Sequence, residues 1–470
     1  MGSHISRCTA GFENLNRKQR WRQENEQETG VMMKTVLTNC TVIACTGELA
    51  KKDMTIVIDG NRIAEVSHSV HQQVIRKEEE VRVIDLDGSY VLPGLWNVHA
   101  HPFDLFPDFA NRLMTESPIE CAIRAGRNLI DALEVGVTAV RVAGERDFID
   151  VAWKQAFQDG IFIGPRMFVC GQVIVCTGGH GWEWDNAVQI DGPYEMRKAV
   201  REQLKHGVDQ IKIAVSDGAS DLLADEIESA TQVAHQKGKS VCAHATSSGL
   251  KTAIKAGVDC IEHGYLMDDE AVQLMKDNNV FYDPTLVIIQ DAEYLKELGL
   301  IGSDGRINLE VCEEFATQHS ACEEDFNRMY RTLKGRILIA QERRIPSDLA
   351  SMHLESFRKA LDAGVRITCG ADVSPIGDYA LLEIEHMVRA GMNEMQALIA
   401  ATRTSAELCG ASDQLGTVEA GKLADLIVVR KNPLQDIGSL RKLKLVLRDG
   451  KLIETEEPEG LANFWQLLLS

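Results

Sequence analysis

The stretch VLPGLWNVHAHPFD, residues 91–104, constrains this chain more than any other. An apolar run containing Pro-Gly ends in two histidines, His99 and His101, one residue apart. On a β-strand, residues i and i+2 point to one face. Two imidazoles on one face make half of a metal site, because neutral imidazole is a common ligand for zinc and its neighbours. A chance HxH on a surface strand would need no partners elsewhere, so the rest of the chain decides.

Further ligand-type residues stand in the same kind of place. Lys212 lies in QIKIAV, His244 in SVCAHAT, His263 in CIEHG and Asp372 at the end of RITCGAD. Each closes, or nearly closes, a short β-branched or Cys-rich run that is followed by a loop and a helical pattern. A parallel (β/α) barrel gathers its active-site groups at such strand ends. Strands are expected at 95–101, 138–143, 166–175, 210–215, 240–246, 259–264, 280–287 and 365–372. Amphipathic patterns such as PYEMRKAVREQLKHG lie between most of them. This alternation predicts an α/β fold, a (β/α)8 TIM barrel, over residues 93–406. Residues 288–363 are long for one βα unit, and 288–350 reads as a helical insertion over the barrel mouth, a lid or a subunit contact.

The flanks differ in character. Residues 34–90 alternate in short apolar runs, and so do ADLIVVRKN and LKLVLRDGKLI near the end. Asp59-Gly60 and Asp449-Gly450 are hairpin signals. Residues 34–92 and 407–457 are therefore expected to form one small β-domain from both flanks. Residues 1–33 fit neither part: MGSH resembles an engineered leader, RKQRWRQENEQE is a polar charged run, and disorder or a short surface helix is expected there.

Composition excludes several function classes. A net charge of -20 opposes binding to nucleic acid, which rests on Lys and Arg neutralising phosphates, and to anionic membranes. No apolar run approaches the roughly 18–20 residues of a membrane span. The first 30 residues lack the apolar core of a secretory leader. The 12 cysteines show no CxxC and no scaffold spacing, and Cys170, Cys176, Cys242, Cys260 and Cys369 fall in strand-like runs. They read as buried thiols of a cytoplasmic protein.

The motifs PGLWNVHAH, GVTAVR, GGHG, DQIKI, AHA, IEHG, CGAD and GKLADLIVV, in that order, give the chain a resemblance to the metal-dependent amidohydrolase superfamily from about Lys34 onward. It looks most like the branch holding imidazolonepropionase-like proteins, Xaa-Pro dipeptidase-like enzymes and ochratoxin-degrading amidases. The resemblance implies a composite β-sandwich beside the barrel. It implies two divalent metal ions, taken as Zn2+, with His99, His101 and Asp372 on the more buried one and His244 and His263 on the other. It also implies that Lys212 is carboxylated and bridges the pair. A protonated lysine at that place is costly to bury and repels cations, whereas a carbamate offers one anionic oxygen to each metal.

Two such metals share a water and lower its pKa toward neutrality, so that a hydroxide can attack a carbonyl while Asp372 carries its proton to the leaving nitrogen. That chemistry hydrolyses the C–N bond of a dipeptide, an N-acyl amino acid or a related small amide. His180, in CTGGHGWEWD, matches the GGHG loop of the branch and is a second candidate catalytic residue. Trp182, with Trp184, and Tyr265 are candidate substrate-binding residues at the mouth. His235, His353 and His386 sit in helical patterns and read as surface or helix–helix residues. Arg141 departs from the branch's frequent Arg-Asp, since Val142 follows it. Deamination is disfavoured, because Ser247 stands where single-metal deaminases usually carry a Glu. Cyclic amides of the imidazolone or hydantoin type, carbamates and ureas remain rival substrates. An inactive barrel kept for assembly is the reading from a different class. A homo-oligomer is expected.

Overall fold

The computed structural model describes residues 34–68, 81–103, 116–302, 307–319, 336–337 and 347–453. The leader at 1–33 and much of the 288–350 insertion lie outside the described residues.

Both flanks build one eight-stranded sheet. Lys34–Val42 runs antiparallel to Lys51–Asp59 and parallel to Val81–Asp85 and Tyr90–Pro93. Tyr90–Pro93 then pairs antiparallel with Leu426–Val429, which continues to Leu443–Arg448 and Lys451–Ile453. Both expected DG hairpins form, with Asp59 opposite Arg62 and Arg448 opposite Lys451. The run LIVV at 426–429 is apolar throughout because it is buried on both faces. Leu426 and Val428 enter the sheet's own core with Leu37, Ile56 and Val91, while Ile427 and Val429 join the core of the α/β region. Arg166 ties the two together, reaching Asp425 at 2.6 and 3.1 Å and also Asp449.

Between the flanks lie parallel strands alternating with helices, a TIM-barrel-like α/β fold. Leu95–Ala100 pairs with Val137–Val142, and that strand with Arg166–Phe168. A second set orders Val173–Cys176, Gln210–Ala214, Ser240–Ala245, Cys260–His263 and Phe281–Asp283 side by side. The strand expected at 166–175 is thus two strands. Asp150, fully buried, accepts the backbone N–H groups of Cys170 and Gly171 at the break, so the interruption leaves those donors satisfied. The Asp209 N–H bonds to Val169 O, carrying the first set toward the fourth strand.

Two expected strands were overlong. The run at 280–287 is a strand only over Phe281–Asp283, because Pro284 has no N–H for a ladder and Thr285 has φ +47°. The Glu383 carboxylate then accepts Leu286 N–H and Val287 N–H and starts the helix Val287–Glu297. The run at 365–372 forms only a parallel bridge, Ile367 to Tyr282. Thr368 N–H bonds to Tyr282 O beside that bridge, and two further donors go to side chains, Cys369 N–H to Ser405 Oγ and Ala371 N–H to Asn97 Oδ1. Its Cys369 carbonyl accepts the Val98 N–H, which lays the segment beside the first strand.

Among the described residues no helix is long and apolar enough to cross a membrane. The cysteines singled out from the sequence are all buried free thiols.

Candidate active site

His99 and His101 leave the first strand where its register with the second shifts, between Asn97 and Ala100. Such a bulge re-aims side chains at a strand end. Both rings face Asp372: its Oδ1 lies 3.2 Å from His99 Nε2 and 3.0 Å from His101 Nε2. Its Oδ2 lies 4.0 Å from His263 Nδ1. Asp372 reaches this position with φ +57°, and its N–H is bonded to His99 O at 2.7 Å. Around it the rings follow one another, with centroids 5.0 Å apart for His99 and His263, 4.5 Å for His263 and His244, and 4.0 Å for His244 and His180. Lys212 is buried to 4% exposure, its Nζ has no hydrogen-bond partner among the described residues, and its nearest carboxylate is Glu262, 3.9 Å away.

His101, His263 and His244 each have one nitrogen hydrogen-bonded by the chain itself, and His99 has one in ion-pair contact with a carboxylate. His101 Nδ1 sits 3.1 Å from Gly144 O, His263 Nδ1 2.7 Å from Thr285 Oγ1, and His244 Nε2 3.0 Å from Asp217 Oδ2. His99 Nδ1 lies 2.5 Å from Glu262 Oε2. Fixing one nitrogen from behind leaves the other to ligate, which is how metal-binding histidines are held. The electrostatics agree with a cation site. Burial holds His244 and His263 below the usual imidazole range, which keeps them as neutral ligands. At His99 burial and Lys212 push down, but Asp372 and Glu262 win and raise the ring to about 10. Burial would raise Asp372, yet His99 and His101 hold it well below the usual carboxylate range. The cluster His99, His101 and Asp372 is compact enough to hold one ion.

His180 stands at the edge of this row. Burial and the His244 ring lower it to about 4, so it is neutral at pH 7. Its loop packs tightly: a Cβ on Gly218 would lie 2.5 Å from the Gly179 backbone, so only glycine lets the loop after Gln210–Ala214 approach GGHG. The tryptophan whose ring meets His180 is Trp184, edge-on at 5.2 Å, while Trp182 is half exposed. Tyr265 lies 5.7 Å from the His263 ring and contacts His353 edge-on at 4.6 Å. His353 is fully buried behind the site, His386 is buried against Asp291, and His235 is half exposed beside Asp259.

The sequence reading missed Glu262, Asp283, Thr285 and Asp217. Alternation on a strand puts Glu262 and His263 on opposite faces, but His263 has φ +67°, and that turn brings both inward. Asp217 holds φ +78°, and its carboxylate also accepts Thr246 Oγ1–H at 2.5 Å. Four of the non-glycine residues with positive φ, at 217, 263, 285 and 372, lie at this site, and others are spread through the chain.

The chain matches the Amidohydrolase family over residues 90–453. It belongs to the amidohydrolase family. Within the amidohydrolases it is 27% identical over 406 residues to ochratoxinase from Aspergillus niger, covering 77% of this chain and 75% of that one. It is similar to the crystal structure of a Xaa-Pro dipeptidase with bound methionine in the active site, with 30% identity, TM-score 0.72, and coverage of 90% of this chain and 100% of that chain. It is also similar to a prolidase complexed with N-methylphosphonate-L-proline, with 28% identity, TM-score 0.69, and coverage of 89% and 99%. The chain is thus an amidohydrolase of this branch, a hydrolase acting on carbon–nitrogen bonds.

Proposed function

We propose that this amidohydrolase cleaves the amide bond of a dipeptide, an N-acyl amino acid or a related small amide at a two-metal centre. The observation that carries the reading is the convergence of His99, His101 and His263 on Asp372, with His244 packed against His263, beside a buried Lys212 Nζ with no hydrogen-bond partner among the described residues. The orphaned amine fits a carbamate that would sit between the ions. His99, His101 and Asp372 would hold one ion and His244 and His263 the other, with Zn2+ the first candidate. Two such ions, when bound, polarise the scissile carbonyl and lower the pKa of the attacking water. The substrate class is supported by the Xaa-Pro dipeptidase, prolidase and ochratoxinase neighbours.

The protein's own groups divide the remaining work. Asp372 takes a proton from the attacking water as the new C–O bond forms, and passes it to the leaving nitrogen as the C–N bond breaks. Its low pKa keeps it ionised and able to accept. His180, neutral, offers a ring N–H to the substrate from the mouth. Trp182 and Tyr265 line that mouth, with Trp184 bracing His180. We further propose an eight-stranded closed barrel over 93–406, with residues 34–92 and 407–457 as a composite β-sandwich. A homo-oligomer working in the cytoplasm on a small-molecule substrate completes the reading, in keeping with the buried free thiols.

Elemental analysis of protein expressed with added Zn2+ should find two equivalents per chain. Lys212→Ala should lose activity and most of the metal, with partial recovery in acetate or propionate, which replace the carbamate. Only trace metal in the wild type, or full activity in the variant, would overturn the reading.

A further inference from the structure

Beneath the histidines lies a buried polar group that none of the proposed chemistry uses. Arg141 crosses the interior from the second strand and spends its donors on four partners. Its Nε donates to Val98 O, its Nη1 to Gln210 Oε1 at 3.0 Å and to Cys242 Sγ, and its Nη2 to Glu262 Oε1 at 2.7 Å. Gln210 is itself fixed, donating to Val142 O at 2.9 Å. Arg141 and Glu262 are almost wholly shielded from solvent. A buried arginine–glutamate pair can be mere filling, and burying two charges is by itself weak evidence of a gain in stability.

The other carboxylate oxygen separates filling from function. Glu262 Oε2 takes no part in the Arg141 contact and lies 2.5 Å from His99 Nδ1. The opposite nitrogen of the same ring, Nε2, faces Asp372. We propose that Glu262, gripped by Arg141, is a positioning residue that fixes the His99 ring and thereby sets how strongly the inner ion is held. Asp283 is the rival for this role, since its Oδ2 lies 3.5 Å from the same nitrogen. It has no comparable grip, because its distance to Arg141 Nη2 is 3.9 Å. A guanidinium stays charged at every working pH, and its grip on Oε1 holds the Glu262 carboxylate in ion-pair contact with His99 Nδ1, an approach that lies outside hydrogen-bond geometry in this structure. That contact opposes a flip of the ring that would turn Nδ1 toward the site. Carboxylate partners of this kind tune ligand basicity as well as orientation.

The inference rests on the two-metal reading, and the test separates the two. Zn2+ affinity is measured by chelator competition, and Co2+-loaded protein is examined by its ligand-field absorption. Glu262→Gln keeps the shape and removes the charge. It is expected to weaken one metal equivalent by about 10–100-fold and to change the cobalt spectrum, leaving the other equivalent near wild type. Should that variant fail to fold, Arg141→Lys serves: it leaves Glu262 in place but removes the fork that fixes Oε1, and the same equivalent should weaken. Wild-type affinity and an unchanged cobalt spectrum in the folded variant overturn the proposal, even if melting temperature drops. A wild-type protein that takes up neither Zn2+ nor Co2+ removes the two-metal reading first.

Discussion

Asp372 is the residue on which the proposed chemistry turns. Asp372→Asn should keep much of its metal, because the amide oxygen still coordinates. It cannot accept a proton, so kcat should fall by about 10²-fold or more, the scale of general acid–base contributions. Steady-state kinetics beside metal analysis checks this, and near-normal kcat with full metal would pass the proton role to His180. The residues that gather around Asp372 were singled out in the sequence by their strand-end positions, and their assignment as ligands came from the family motifs. Glu262 and Asp217 were not singled out. Their part depends on backbone turns at His263 and at Asp217 itself, and a positive φ on a non-glycine residue leaves no trace in composition. Both Trp182 and Trp184 were singled out in the sequence, but which of the two meets His180 is set by the fold of a glycine-rich loop.

At the scale of elements, the helix Val287–Glu297 is held by a buried carboxylate. Asp291 is paired with Arg336 through both carboxylate oxygens, at 3.1 and 2.5 Å, and with His386 at 3.2 Å on the helix Ile376–Ala390. Burial would raise Asp291, but Arg336 and His386 hold it below its usual 3.8. A depressed carboxylate contributes stability that is fully present above its unfolded pKa and lost as pH falls below it. Asp291→Asn should therefore cost about 3–5 kcal/mol at neutral pH by urea unfolding, because it strands a buried guanidinium. It should cost much less in acid, and a penalty independent of pH would show that the pair is not the anchor. The hairpins and most barrel strands were readable within a residue or two, since hydrophobic periodicity and DG turns are local. The strands expected at 280–287 and 365–372 failed for a different reason. Their apolar residues are real, but side chains from distant segments, Glu383, Asn97 and Ser405, take some of the donors, and the backbone bonds that remain, such as Thr368 N–H to Tyr282 O and Asp372 N–H to His99 O, are too irregular for a continuous ladder.

For the whole molecule, Arg166 and the nearly inaccessible Asp425 reinforce the apolar join between the sheet and the α/β region. Arg166→Met should lower stability, because it leaves the buried Asp425 with only the longer contact to Arg448 at 3.8 Å. Calorimetry should then resolve an early transition of the sheet ahead of the barrel, and a single transition at the wild-type temperature would show that apolar packing alone makes the join. The sheet also carries a consequence for biosynthesis. Tyr90–Pro93 is flanked on one side by Lys34–Val42, made just before it, and on the other by Leu426–Val429, made only after the entire barrel. While the ribosome works through that interval, an apolar strand waits with one row of amides and carbonyls unpaired, the kind of template on which nascent chains stick to one another. Yield of this protein should accordingly respond more to a holdase chaperone, or to slower growth temperature, than its final stability would suggest, and any message cut short before residue 426 should give aggregate rather than a smaller folded enzyme.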